Sequence, residues 1–419
     1  MNNNGVAPRF VTITIMSFII VFSIQFIAPI LSLFALTVDV STTLLAAILS
    51  VTFFIQIFLR PLSGRAGDLF GKLRLIPFAI LFYSLGQFLL FLTQNPIDFF
   101  IARLLISVGA SFFWPNAVAY VSNLAKKDKL GTTLGALWAF VDVASVIGPS
   151  LGGYFSEIFG YRFLFLVNGT FILISGTVFL VTLKYFDKKY NTNNLESAGK
   201  FSFSKFKSEL ISGVRVLLRN SAVRLALFSV IVVSMCVSTF ATFYPILTKF
   251  RGLSETEIGE TQSGKNLIKL FLRLPGGRLS DKYGPGVILI TSTLSLGISM
   301  TLLSVATTFF EFLILMMVIG ISTGIFLPTV QALLLGTVNE EEHGLAMGVW
   351  GAILNMSKSI GLAIIGIIVY FFSVELIFLV FGVLTLIGTI PLIVSIKKIR
   401  EIYVQVREHT SGVTNGSEG

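Results

Sequence analysis

The sequence predicts an all-α membrane protein: twelve transmembrane helices in two six-helix bundles related by a parallel repeat. Three observations predict it. Of the 419 residues, 54% are hydrophobic and only 12% charged, with 41 Phe and a mean hydropathy of +0.87. A soluble particle carries about 25% charged residues on a surface that faces water. Half that supply cannot coat a chain of this length, so much of the surface must face lipid. The apolar residues also gather in twelve long runs, and the second half of the chain repeats residues of the first at a constant offset. The same figures exclude disorder, collagen, a disulfide scaffold and a nucleic-acid-binding domain.

A helix crossing the hydrocarbon core needs about 20 apolar residues. In order, the runs lie near 10–36, 41–62, 74–94, 97–124, 130–155 and 162–184, then 222–248, 256–276, 285–306, 310–337, 343–372 and 375–397. The first exceeds the apolar stretch of a secretory signal and lacks a cleavage site, so it reads as a span. It holds Gln25, and the second holds Gln56. The fourth carries Arg103, Trp114, Pro115 and Asn116, and the fifth carries Asp142 among small residues. The eighth begins at a capping box, Ser254-x-x-Glu257, in which each residue can satisfy the other's backbone N–H. The tenth holds Pro328 and Gln331, and the eleventh Asn355 and Lys358. Connections are short except 185–221, which is polar and basic and reads as a linker followed by an amphipathic surface helix. The expected organisation is a bundle at 1–184, the linker at 185–221, a second bundle at 222–397 and a tail at 398–419.

With the N-terminus inside, cytoplasmic segments hold 24 of the 31 Lys and Arg, and exterior loops hold three, Arg162, Lys249 and Arg251. That is a strong positive-inside bias. Both termini are expected in the cytoplasm and the protein in the plasma membrane. The net charge of +10 and the pI near 9.6 then reflect topology rather than a nucleic-acid partner. The single cysteine, Cys236, can form no intrachain disulfide.

The repeat is explicit. At an offset of 213, Leu59, Arg60, Gly64, Arg65, Asp68 and Gly71 recur as Leu272, Arg273, Gly277, Arg278, Asp281 and Gly284. The same offset carries Pro115 onto Pro328 and Gly148 onto Gly361, and sets Asp142 opposite Asn355. Two homologous bundles of the same topology point to a transporter whose substrate site lies between the halves.

Gly64-x-x-x-Asp68-x-x-Gly71-Lys72-x-Arg74, with a weaker copy at Gly277 to Gly284, resembles the loop 2–3 signature of the major facilitator superfamily. The resemblance covers nearly the whole chain. Gly64 and Gly71 permit close backbone approach and a tight turn at the membrane edge. Asp68 can accept charge-assisted bonds from Arg65, Lys72 or a helix N-terminus. The resemblance implies that Gly64, Arg65, Asp68, Gly71, Lys72 and Arg74, with Gly277, Arg278, Asp281 and Gly284, form a cytoplasmic latch that breaks as the carrier changes access. In the fifth span, Gly135-x8-Ala144-x3-Gly148-Pro149-Ser150-Leu151-Gly152-Gly153 resembles the motif of the superfamily's antiporters, chiefly drug:proton exporters, with Ala144 where that pattern has Gly. Small residues at this spacing let helices pack closely in lipid, and Pro149 favours a kink.

Four cations and one acid lie well inside the spans: Arg103, Lys265, Lys269, Lys358 and Asp142. A charge at the bilayer centre is unfavourable by about 2.5–3.5 kcal/mol on insertion scales, so each is a functional candidate. Gln262, Lys265, Lys269 and Arg273 share one face of the eighth span. The resemblance places span 5 beside span 8, so Asp142 is expected to pair with Lys265 or Lys269 and to carry the proton. Arg103 matches the arginine of the family's span-4 pattern, though Ser107 replaces its glycine, and the resemblance implies a part in proton exchange. Gln25, Gln56, Trp114, Asn116, Gln331 and Asn355 are candidates, with the three lysines, to line the substrate cavity. The positive excess favours anionic, zwitterionic or neutral solutes over lipophilic cations.

No metal-ligand cluster, phosphate loop or nucleophile constellation occurs in the sequence, so no cofactor, no metal and no enzymatic activity are expected. The expected function is a secondary active transporter, a proton-coupled exporter of a small organic solute or drug, acting as a monomer in the bilayer. The alternatives are an uptake symporter of the same fold and a non-transporting membrane receptor.

Overall fold

Lipid offers no partner to a backbone N–H or C=O, so a spanning segment must close its hydrogen bonds within itself. The computed structural model describes residues 6–125, 130–190, 221–336 and 343–395, and the elements assigned there are all helices. They are α1 (Val6–Ile27), α2 (Leu31–Thr37), α3 (Thr42–Phe70), α4 (Lys72–Leu92), α5 (Pro96–Leu124), α6 (Leu130–Tyr190), α7 (Ser221–Phe250), α8 (Glu255–Tyr283), α9 (Pro285–Leu303), α10 (Phe309–Gly336), α11 (His343–Phe371) and α12 (Val374–Val394). Among the described residues ten helices are long and apolar enough to cross a membrane. That set counts α6 once, although Gly160 (φ 75°, ψ 163°) divides it into two passes. It omits α8, whose Glu, Lys and Arg residues dilute its apolar character. The twelve passes of the sequence reading are recovered on that basis.

Local chemistry sets the ends. Ser41 caps α3 by accepting from the Leu44 N–H at 3.2 Å, and Asn95 caps α5 by accepting from Ile97 and Asp98, each at 3.0 Å. The capping box of α8 forms: Ser254 N–H donates to Glu257 Oε2 at 2.8 Å, and Glu257 N–H to Ser254 Oγ at 3.2 Å. The first span is not one helix, as expected from its apolar run, but two, because Pro29 brings no N–H and residues 28–30 turn. The signature after the second span is largely helical too. α3 continues through Gly64 and Asp68, and the chain turns only at Gly71 (φ 93°), with Gly284 (φ 86°) doing the same after α8.

The chain divides into two compact units, residues 1–201 with 242–263, and residues 202–241 with 264–419. The hairpin 242–263, which joins α7 to α8, therefore belongs to the first. In that unit α1 packs on α6, α4 on α5 and α6, and α3 on α5; in the other, α9 packs on α10 and α12. The repeat extends into this packing at a site that stood outside the sequence comparison. Gly169 of α6 lies against Gln87 and Phe88 of α4, and 213 residues on, Gly382 of α12 lies against Thr301 of α9. Large apolar side chains such as Phe54, Phe58, Ile174 and Ile387 are exposed, as a lipid-facing surface requires.

Candidate functional site

At the α3–α4 turn, Lys72 Nζ lies 3.8 Å from Asp68 Oδ1, and that aspartate is half-exposed. The close approach expected at Gly64 is absent: a Cβ there would meet open space. It occurs one turn away at Gly67, where a side chain would strike the Asn116 amide oxygen. Arg65 is partly buried and Arg74 exposed. The side chains of Gly277, Arg278 and Asp281 lie outside the described residues, whereas Gly284 repeats the positive φ of Gly71.

The small-residue motif of α6 is packed on two sides. A Cβ at Gly148 would sit 2.8 Å from Gln25 Cβ, and one at Gly152 would strike the Phe26 carbonyl, so this face lies backbone to backbone on α1. The other face meets the start of α8. Gly153 abuts the Glu255 carbonyl, Gly259 abuts the Pro149 carbonyl, and Ser150 donates its N–H and its hydroxyl to Ser263 Oγ at 3.0 and 2.7 Å. Gly135 is the exception, with open space about it. Past the motif, Tyr161 donates its hydroxyl to Glu255 Oε1 at 2.6 Å, Lys249 pairs with Glu255 Oε2 at 2.9 Å, and Thr256 N–H donates to Glu157 Oε1 at 2.8 Å. Burial alone would raise the Glu255 carboxyl, but hydrogen bonds from Tyr161 and Lys249 and the Lys249 charge hold it below its ordinary value.

Deeper in the first unit, Asp142 is buried. One turn before it, Trp138 stacks on Trp114, with centroids 5.5 Å apart and rings 15° from parallel, and both, like Phe18 and Phe22, pack against the buried Val21, Val141 and Ala144. Arg103 lies beside Tyr83, which in turn neighbours Gln87 and Ser23. Arg103 Nε is shut off from solvent without a hydrogen-bond partner. Gln56 is buried, reaching Ser107 Oγ at 3.5 Å and accepting from Arg60 at 3.2 Å. Asn116 is also buried and bonds Ser63 Oγ at 2.9 Å and the Phe112 carbonyl at 2.8 Å, bracing α5 on α3.

In the second unit, Lys265 Nζ stands 4.8 Å from the Phe240 ring centroid. Ser238 of α7 donates to the Lys358 carbonyl at 3.4 Å. Asn355 is buried with neither amide atom hydrogen-bonded, and Gln331 is partly buried. Asp142 and the two α8 lysines fall in different units. Sequence reasoning missed Arg60, Tyr83, Gln87, Glu157, Tyr161 and Glu255. Arg60 had a signal, its repeat at Arg273; the others had none beyond being polar in an apolar chain.

The family model described as Major Facilitator Superfamily matches residues 13–265 and 226–406. An uncharacterised MFS-type transporter of Methanocaldococcus jannaschii is 23% identical over 357 residues, 83% of this chain and 88% of that one. The riboflavin transporter RibZ of Clostridioides difficile is 25% identical, over 72% of this chain and 74% of its own. The multidrug resistance protein MdtG of Dickeya zeae is 26% identical, over 69% and 68%. Among solved structures, a POT family transporter in complex with 5-aminolevulinic acid superposes with a TM-score of 0.73 at 14% identity, covering 93% of this chain and 96% of that one.

Proposed function

The chain belongs to the major facilitator superfamily, and from that premise we propose that it is a secondary active transporter working by alternating access, a proton-coupled exporter of a small organic solute or drug. The observation that carries export is the stretch Gly148 to Gly153, packed backbone to backbone on α1 and on the first turns of α8. Such a face resists drift between states, because lipid-embedded helices associate through close van der Waals contact. The likeness to MdtG supports the same direction. Asp142 is the proton carrier in this reading and Arg103 takes a part in proton exchange, with Gln25, Gln56, Trp114, Asn116, Gln331, Asn355, Lys265, Lys269 and Lys358 contributing to solute binding. The turn at Gly64 to Arg74 and its repeat at Gly277 to Gly284 act as the latch. The protein sits in the plasma membrane as a monomer, with both termini in the cytoplasm.

Substrate-dependent proton flux in proteoliposomes tests this. Antiport gives proton flux opposite to solute flux under an imposed pH gradient, and symport gives parallel flux. Asp142→Asn is expected to abolish pH-driven accumulation; accumulation at the normal rate, still responsive to pH, would remove Asp142 as the carrier.

A further inference from the structure

α8 carries Lys265 and Lys269 one turn apart on one face. Their bearing is set by α10, not by their own side chains. A Cβ at Gly320 would strike the Lys265 carbonyl, and one at Gly324 would lie 3.2 Å from Lys269 Cα, so two small residues a turn apart let the helices meet along their backbones. Contact this close prevents α8 from rotating about its axis. Lys265 stands ten residues after Glu255, about 15 Å along the helix, and its ammonium turns to the Phe240 ring on α7.

A ring face attracts the charge but accepts none of its three N–H donors in an N–H···O bond. Among the described residues no carboxylate reaches ion-pair distance of Lys265, and the charge that acts on it is the like charge of Lys269. The residue as a whole is partly buried, with its ammonium deep in the helix packing beside Phe240. A cation at this depth, repelled by a neighbour of the same sign, is stabilised by an oxyanion. The first unit independently shows the same sign, since Arg103, whose Nε is shut off from solvent, has the Tyr83 phenol as its ionisable neighbour.

We propose that Lys265, with Lys269 one turn along, binds the carboxylate or phosphate group of a small organic solute, so that the protein carries organic anions rather than lipophilic cations. The inference rests on the transporter reading above and names its substrate class.

The test uses the purified full chain in nanodiscs of neutral lipid, with thermal shift read against succinate, glycerol phosphate and tetraphenylphosphonium. Succinate or glycerol phosphate is expected to stabilise the wild type saturably. Lys265→Gln is expected to raise the half-saturating concentration by about 10-fold or more, the worth of one charge-assisted contact, and Lys265→Arg to keep most of the affinity. If Lys265→Gln is not monodisperse, Lys265→Met, which keeps the stem against Phe240, takes its place. Stabilisation by tetraphenylphosphonium alone, or anion binding indifferent to Lys265, overturns the proposal. So does stabilisation by phosphatidylglycerol in the nanodisc with none from the soluble anions, which would make this a lipid headgroup site. Binding is read apart from transport. An anion that binds through Lys265 but is not moved in proteoliposomes upholds the site and overturns the claim that such anions are carried, and a cation moved while neither anion binds overturns the site and leaves the transporter reading standing.

Discussion

Tyr161 donates its hydroxyl to Glu255 over 2.6 Å, tying the turn at Gly160 to the first residue of α8. The same carboxylate takes Lys249 at 2.9 Å from the end of α7, so one acid clasps three helix ends. Tyr161→Phe removes one donor to a charged acceptor and leaves the ring in place. We expect a loss of about 1 kcal/mol in unfolding of the detergent-solubilised protein, and faster hydrogen exchange at residues 252–258. An unchanged protection pattern there would mean the bond contributes nothing to the clasp.

The clasp also has a pH sense. The Glu255 carboxyl is held below its ordinary value of 4.5 in the folded chain. Its stabilisation is therefore complete above that value and declines as pH falls through the depressed one. Melting temperature followed from pH 7 downwards should lose, below the ordinary carboxylate range, an increment that Glu255→Gln lacks. Parallel curves for the two proteins would refute this.

The glycines of the antiporter-like motif should separate into two classes. A Cβ at Gly152 or Gly153 strikes a backbone carbonyl, which cannot step aside as a side chain can, whereas Gly135 has open space. Gly152→Ala and Gly153→Ala are each expected to destabilise by about 1–3 kcal/mol and to depress transport. Gly135→Ala should be neutral or slightly stabilising, since alanine is the better helix former. Equal tolerance at all three positions would contradict the packing.

At the latch, Gly71→Ala places a side chain on a residue at φ 93° and should be unfavourable by about 1–2 kcal/mol. Gly64→Ala, in mid-helix with no neighbour near, should not be. Thermal unfolding of the two variants side by side decides it.

Asn116→Ala leaves Ser63 without its side-chain partner in a buried crossing. A destabilisation of about 1–3 kcal/mol is expected. An unchanged melting temperature would show that the α3–α5 brace is dispensable, and an unchanged solute affinity would take Asn116 off the list of cavity residues.

Much of the architecture was legible before any coordinate. The helices follow from apolar run length, and the repeat from residues such as Gly148 and Gly361. Each of these two glycines packs against a first helix of its unit, Gly148 on Gln25 of α1 and Gly361 on Met235 of α7. The misreadings are local. Pro29 interrupts a run whose hydropathy never falters, and a pattern of glycines cannot say that Gly67 rather than Gly64 takes the close contact.

Composition and spacing alone determined that the chain is helical, how many passes it makes and that its halves are copies, because hydrocarbon leaves the backbone one way to satisfy itself along a single segment. Tertiary structure alone decided what each polar residue does. Gln56 and Asn116 read alike in sequence, yet one links Arg60 to Ser107 and the other braces Ser63, 53 residues away. Lys265 reads as one cation of a stripe, yet its ammonium turns to the Phe240 ring. The partner of a buried polar group lies on another helix, at a distance along the chain that no periodicity records, and only the packing of helix on helix brings the two together.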